Sequence, residues 1–427
     1  MRTYDTYKDS GISWLGQIPS HWELKPGFSL YHVNNEKFDM LSEPTVLSLS
    51  YGNIIVKKNK DEGLVPENYS GYQVIKPDYI IIRCTDLQND KVSLRTGIAK
   101  NHGIITGAYL GLIANDGFNA QYLHYFLHDW DITKEIYRHG SGLRQVLSWN
   151  DMKRLPILVP PLAEQEAIVA YLDSATAEID KAIASQRLMM ELLQERKQII
   201  INQAVTQGLN PDAPMKPTNI DWLPKIPAHW DLRRLKYLLK SPLQYGANES
   251  PESTDTNLPR YIRITDIKEN GKLNDDSFVS LSWEKAKDYL LQKGDILFAR
   301  SGATVGKTYL FEEQYSSCFA GYLIKARSND GLLPEFLYLF TKSGVYDKWK
   351  ESIFIKSTIQ NIGADKYSNL PVPFPPYDEQ KAIVEYIEST ISPVNSAISR
   401  CEHIIALLTE RKQILINDVV TGKIKII

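Results

Sequence analysis

Cysteine is scarce, with three in 427 residues. Cys84, Cys318 and Cys401 lie far apart and none sits in a CxxC or Cys/His spacing, so neither a disulfide framework nor a zinc site is indicated. A reducing, cytoplasmic setting fits that usage. Long hydrophobic runs are absent too: no stretch approaches the roughly eighteen apolar residues of a membrane span, and MRTYDTYKDSGISW has no apolar core of a secretory leader. No membrane association is expected. A basic excess is also lacking. Lys and Arg number 49 against 51 Asp and Glu, a net charge of −2, spread so that no quarter of the chain is strongly charged. Tight, sequence-independent binding to polyanions by the free chain is therefore not expected, because that term scales with the phosphates neutralised. A locally basic face stays open.

Catalytic constellations are missing as well. No paired carboxylates, His/Cys cluster or nucleophile elbow occurs at a spacing that compels an enzymatic reading. Two near-misses fail on inspection. SGATVGKT, from Ser301, resembles a phosphate-cradling loop but has serine in place of its first glycine and no partner acidic strand. FPPY, from Phe374, resembles the catalytic loop of adenine methyltransferases but lacks the Asn or Asp that would hold the amino group. Neither predicts a bound cofactor or metal. What remains, 43% hydrophobic and 23% charged, is ordinary for a folded protein of two to four domains.

What is present is a duplication. LPILVPPLAEQEAIVAYLDS from Leu155 returns as LPVPFPPYDEQKAIVEYIES from Leu370, with eleven of twenty positions identical at an offset of 215. LLQERKQIIINQAVT from Leu192 returns at the same offset as LLTERKQILINDVVT. Each double proline can deliver the chain to a first helical turn, where a missing N–H costs nothing. Beyond it a narrow stripe recurs at steps of three or four, through Ile168, Leu172, Ala175, Ile179, Ile183, Gln186, Met190, Leu193, Lys197, Ile200 and Ala204. Its copy runs from Ile383 to Val419. This period predicts two helices of about 45 residues, ending near Thr206 and Thr421, that bury their stripes against each other as an antiparallel pair. The polar Gln186, Lys197 and Lys412 could fix the register, and Pro393 predicts a kink or restart.

The entry segment is duplicated too: SGISWLGQIPSHWEL from Ser10 matches TNIDWLPKIPAHWDL from Thr218. His21 and His229, each beside a tryptophan and remote from other metal-type ligands, read as structural. Between entry and helix both copies carry β-type runs and one helix, near Ala120 and Phe336, with few identities. The predicted fold is α+β, with two mixed α/β globular domains, each followed by a long helix, in a pseudo-twofold internal repeat. Boundaries fall at residues 1–153 (first domain), 154–210 (first helix and a linker rich in proline and polar residues), 211–365 (second domain) and 366–427 (second helix).

The ordered set LPxxxPPxxEQxAIVxY, ERKQxxIN, the IPxHW entry and GATVGK in the variable part resembles the DNA-specificity subunit of type I restriction-modification systems, over essentially the whole chain. The resemblance implies a non-catalytic subunit with two target recognition domains, each reading one half of an asymmetric, bipartite site on double-stranded DNA. It also implies partners: two modification subunits that methylate adenine, and ATP-driven restriction subunits. Chemistry and cofactors would reside on those partners. Candidates for DNA contact are Arg83, Arg95, Lys100, Arg144 and Gln145 in the first domain and Arg263, Arg300, Thr304, Lys307, Thr358, Gln360 and Asn361 in the second. Arg and Lys suit guanine edges, Asn and Gln adenine, and Thr a phosphate or base. The competing reading for each is a solvated surface or turn residue. The rival for the whole chain is a coiled-coil scaffold that joins partner proteins without reading DNA.

Overall fold

The computed structural model describes residues 2–39, 44–57, 69–85, 87, 94–138, 146–268, 271–302, 304–354 and 361–427. The chain divides into two compact units, Met1–Arg187 with Glu402–Ile427, and Leu188–Cys401. Each unit thus draws on both copies of the repeat.

The double prolines start helices as their chemistry requires. Leu162–Gln207 and Tyr377–Val420 begin directly after them, and Pro161 and Pro376 supply the carbonyls that accept from the backbone N–H of Gln165 and Gln380, both at 3.0 Å. The stripe is buried or half-buried along its whole length. Within the first unit, residues 162–187 run antiparallel to 402–420, and Lys412 Nζ reaches the Asp180 carboxylate at 2.7 Å. Within the second, residues 188–207 run antiparallel to 377–401, and Lys197 Nζ donates to Asn395 Oδ1 at 2.9 Å. These two polar pairs are equivalent under the 215-residue offset, so the two lysines hold one register. Of the kink or restart expected at Pro393, the restart is corrected: the second helix continues through it. Pro393 is exposed, and its missing N–H costs one hydrogen bond that neighbouring turns outweigh.

Each unit carries the same four-stranded antiparallel sheet. Its order is Tyr31–Val33, Leu110–Ala114, Ile80–Ile82, Thr96–Ile98 in the first unit and Gln244–Tyr245, Leu323–Ala326, Ile296–Ala299, Thr308–Leu310 in the second. A helix completes each layer, Ala120–Ile132 or Pro334–Phe340. The far end of the other copy's long helix closes each core: Ile416, Val419 and Val420 pack with Trp22, Leu123 and Phe126, while Ile201, Ala204 and Val205 pack with Trp230, Phe336 and Phe340. Outside this frame the units diverge. The first adds a hairpin, Leu47–Ser50 with Asn53–Val56, and an antiparallel pair, Gln73–Ile75 with Gly103–Ile105. The second pairs Arg260–Ile262 with Ser317–Phe319 in parallel, where the first has a single parallel bridge, Val46 to Ile104.

The repeated Glu-Gln of each helix start explains why that dipeptide recurs. Gln165 donates to its own Pro160 carbonyl at 2.8 Å and accepts at 2.9 Å from the backbone N–H of Asn119, the cap of the domain helix. Gln380 repeats this with Pro375 (3.0 Å) and the Leu333 N–H (2.8 Å). The glutamates hold the entry segments: His21 Nε2 meets Glu164 at 2.6 Å, with Trp22 Nε1 and the Tyr4 hydroxyl also donating, and His229 meets Glu379 at 2.8 Å. The two histidines thus lie where local bonding holds them. Gln380→Ala strands a buried N–H and two carbonyls, so urea unfolding of the second unit's core should lose about 1–3 kcal/mol. A change under about 0.5 kcal/mol would show that water replaces the latch.

The first unit also packs two stacked imidazoles, His124 buried and His128 half-buried, with ring centroids 5.7 Å apart. Burial lowers both, His124 to about 3 with help from His128, and His128 to about 4 with help from Lys412 and Lys134. Both folded values lie below the ordinary 6.5, so the unfolded chain takes up protons that the folded chain refuses. This contribution to stability is full above about pH 6.5 and is lost as pH falls toward 4. Asp129, pushed up to about 6 by burial, opposes it over the lower part of that window. His124→Phe should therefore flatten the acid side of a stability-versus-pH curve by up to about 1.4 kcal/mol per pH unit. An unchanged slope in denaturant titrations between pH 6.5 and 5 would refute it.

Candidate nucleic-acid interface

In the second unit, glycines at positive φ (Gly302, +81°; Gly306, +82°) shape the loop from Arg300 to Lys307 between two sheet strands. Arg300 leaves the strand Ile296–Ala299 half-buried, its guanidinium carbon 5.0 Å from the centre of the Tyr245 ring. The Arg300 N–H donates to the Tyr322 carbonyl at 3.0 Å, its own carbonyl accepts from Ile362 at 2.8 Å, and Ser301 pairs with Asn361 as an isolated bridge. The structure thereby brings Arg300 and Asn361 together from positions 61 apart in sequence. Arg300 Nε and Asn361 Oδ1 are buried and bond to no group among the described residues, one donor and one acceptor. Tyr322, 66% exposed, stands beside them. This is a planar cation, an amide and two tyrosines at one surface, which suits the edges and faces of bases.

The remaining candidates fall elsewhere. Thr304 is exposed at the turn of the same loop, and Lys307 donates to the Ile267 carbonyl. Arg263 is engaged by Asp266, with a second bond to the Ser277 carbonyl, so its guanidinium is tied into the fold. Arg95 is a correction: fully buried, it donates through Nε to Tyr137 and through Nη1 to the Thr85 carbonyl, and has no surface to offer a base. Its charge is solvated by carbonyls and by the Tyr137 ring, 5.3 Å away. Arg83 is half-buried beside it, and Lys100 is exposed. Arg144, Gln145, Thr358 and Gln360 lie outside the described residues. Sequence reasoning missed Tyr51, 90% exposed at positive φ on the tip of the first unit's hairpin. The alternation LSLS-YG-NIIV around a Tyr-Gly turn carried that signal. It also missed Tyr245, Tyr322, Lys342 and Lys350, which only the tertiary fold collects.

Among the described residues no group of three His, Cys, Asp or Glu side chains could hold a metal, and the cysteines are free and buried. Two arginines should separate cleanly. Arg95→Met should lower stability by about 2–4 kcal/mol through stranded buried carbonyls, while Arg300→Met should cost less than about 1 kcal/mol. Thermal unfolding of both variants checks this, and an equal large loss would place Arg300 in the core's support rather than at a reading face.

Comparison with known proteins agrees with this architecture. The family described as type I restriction modification DNA specificity domain matches residues 227–400. The specificity subunit of the Escherichia coli (strain K12) type I restriction enzyme EcoKI is 25% identical over 269 residues, 60% of this chain and 55% of the relative. That of the EcoBI enzyme of Escherichia coli is 23% identical over 278 residues, 62% and 58%. The match thus spans little more than half the length of these two relatives. The MjaVIII specificity subunit of Methanocaldococcus jannaschii is 23% identical over 328 residues, 71% and 70%. A chain solved in a study of complex assembly and conformational transition of the type I R-M system superposes with a TM-score of 0.68 at 16% identity, covering 95% of this chain and 99% of that one, a likeness of fold. No helix of the described residues is long and apolar enough to cross a membrane. Over residues 227–400 the chain matches the type I restriction modification DNA specificity domain, and it is similar to specificity subunits of type I restriction enzymes.

Proposed function

We propose that the chain reads a bipartite, asymmetric sequence in double-stranded DNA, one half through residues 1–153 and the other through residues 211–365, and holds methylating and restricting partner subunits on it. The observation that carries this reading is that one frame occurs twice while the elements mounted on it differ. The sheet order, Gln latch, helix register and entry hairpin (Tyr7–Asp9 with Gln17–Pro19, Met215–Ile220 with Leu223–Pro227) repeat, whereas the Leu47–Val56 hairpin does not, and the parallel Arg260–Ile262 pair shrinks to one bridge, Val46 to Ile104, in the first unit. A duplicated frame suits partners that come in two copies, and unlike attachments suit two unlike half-sites. Base reading in the second half falls to Arg300 with Asn361, Tyr245 and Tyr322 framing it, and Lys100 and Tyr51 are its candidates in the first.

The chain carries no catalytic constellation of its own in this reading. Adenine must leave the base stack to be methylated, and that step belongs to the modification subunits. The specificity subunit fixes which adenine is offered, by holding the duplex in register through phosphate and base-edge contacts. The restriction subunits would act on the same assembly when the site is unmethylated.

The test is methylation mapping. The chain is expressed with its neighbouring modification subunit in a host that lacks adenine methylation, and the genome is sequenced for modified adenines. One two-part motif with a fixed gap is expected, and exchange of residues 211–365 for another recognition domain should alter one half of it. An assembled complex with active partners that leaves no motif would overturn the proposal in favour of a scaffold.

A further inference from the structure

The second unit gathers lysines around one short segment, Gly306–Thr308. Lys307 lies in it. Lys342 Nζ donates to the Thr308 carbonyl at 2.9 Å and stands 4.5 Å over the Tyr338 ring. Lys350 lies across Gly306, where an added Cβ would fall 2.1 Å from its Cδ, so glycine is what lets this lysine cross the loop. The Tyr346 hydroxyl fixes the loop by donating to the Gly306 carbonyl at 3.1 Å. Asp347 offsets the cluster, paired with Lys350 at 2.7 Å. Lys197 on the long helix adds a fourth cation whose cross-helix partner is the neutral Asn395.

The first unit neutralises the same place. There the repeat-equivalent Lys412 meets the Asp180 carboxylate, and the position that corresponds to Lys342, nine residues past the domain helix's cap, is His128 against the Thr96 hydroxyl. The charge is therefore peculiar to the second unit and is no requirement of the frame. Burial, then Lys307, Lys350 and Lys197, with Asp347 opposing, push Lys342 down to about 8. Mutual repulsion of this kind is relieved by a bound anion.

We propose that Lys342 and Lys350, with Lys307 beside them on the Ile267 carbonyl, hold one backbone phosphate of the DNA bound by the second unit and so add affinity next to Arg300, which opens the same loop. The inference rests on the DNA-reading proposal and deepens it. A phosphate contact positions without carrying sequence information. Its loss therefore weakens binding alike on right and wrong sequences.

The test uses the full chain assembled with its modification subunits and a duplex bearing the mapped target. Lys342→Met keeps the aliphatic stem over Tyr338. At about 150 mM salt it should lower affinity roughly tenfold on target and mismatched duplex alike, make the slope of log affinity against log salt shallower by about 0.9, and leave the methylated motif unchanged. Lys342→Arg should restore affinity and remove the decline of the parent's affinity between about pH 7 and 9, because arginine keeps its proton there. Lys350→Met is the second variant should Lys342→Met fail to fold. Unchanged affinity and salt slope in the folded variants overturn the inference, and so does an altered methylation motif. Inorganic phosphate or ATP binding to the DNA-free chain, lost in Lys342→Met while DNA affinity stays the same, would assign the cluster to a free phosphate and overturn it too. Failure of the parent complex to bind the mapped duplex would instead overturn the DNA-reading proposal.

Discussion

The amide of a single glutamine, used twice, ties the globular parts to the long helices. Gln165 and Gln380 each bond at once to the proline carbonyl that precedes their own helix and to the first free N–H of the domain helix. A buried amide satisfied at both ends fixes direction as well as distance, because its donor and acceptor cannot be exchanged without stranding both. The adjacent glutamate fixes the entry segment through histidine. Rotation of a domain about its helix would break several buried polar bonds together. Whatever the domain surface presents is thereby referred to the axis of the helix.

The helices were the most legible part of the sequence, for a physical reason. A stripe at steps of three and four needs only local geometry, and its copy 215 residues on repeats the evidence. The double prolines marked the starts to the residue. The domain sheets were readable as runs such as Ile80–Ile82 and Ile296–Ala299, but their strand order was not, since pairing between Tyr31–Val33 and Leu110–Ala114 is long-range. Pro393 misled because helix propensity is a local penalty that surrounding turns outweigh. Of the candidate site, Arg95 shows the limit most plainly: an arginine among turns looks exposed, and only the fold reveals a core that solvates its charge with carbonyls and a phenol ring. Arg300 and Asn361 were each nominated singly, but that they become neighbours depends on a bridge from Ser301 to Asn361 between distant segments.

Symmetry and its breaking have separate causes here. The positions that repeat are those whose partners are backbone groups or the facing helix, such as Lys197 and Lys412, which keep one register with unlike acceptors. The positions that differ include Leu47, Ile54 and Ile75 in one unit and Leu273, Leu291 and Phe311 in the other, whose clusters reach the sheet at Ile81 and at Leu297 and Leu323 but, among the described residues, include none of the long helices. Substitution there bears on one face of the sheet and stays clear of the helix pair. Divergence can therefore proceed on each surface without cost to the helix pair.

The way each core is closed by the far helix end also dictates an order of assembly during synthesis. The second unit is drawn from Leu188–Cys401, whereas the first, although translated earlier, lacks Ile416, Val419 and Val420 until after the second has been synthesised. The nascent N-terminal half must wait with Trp22 and Phe126 incompletely covered, exposed to chaperones or to an untimely neighbour. Termination between Cys401 and Ile416 would strike the unit that is encoded first.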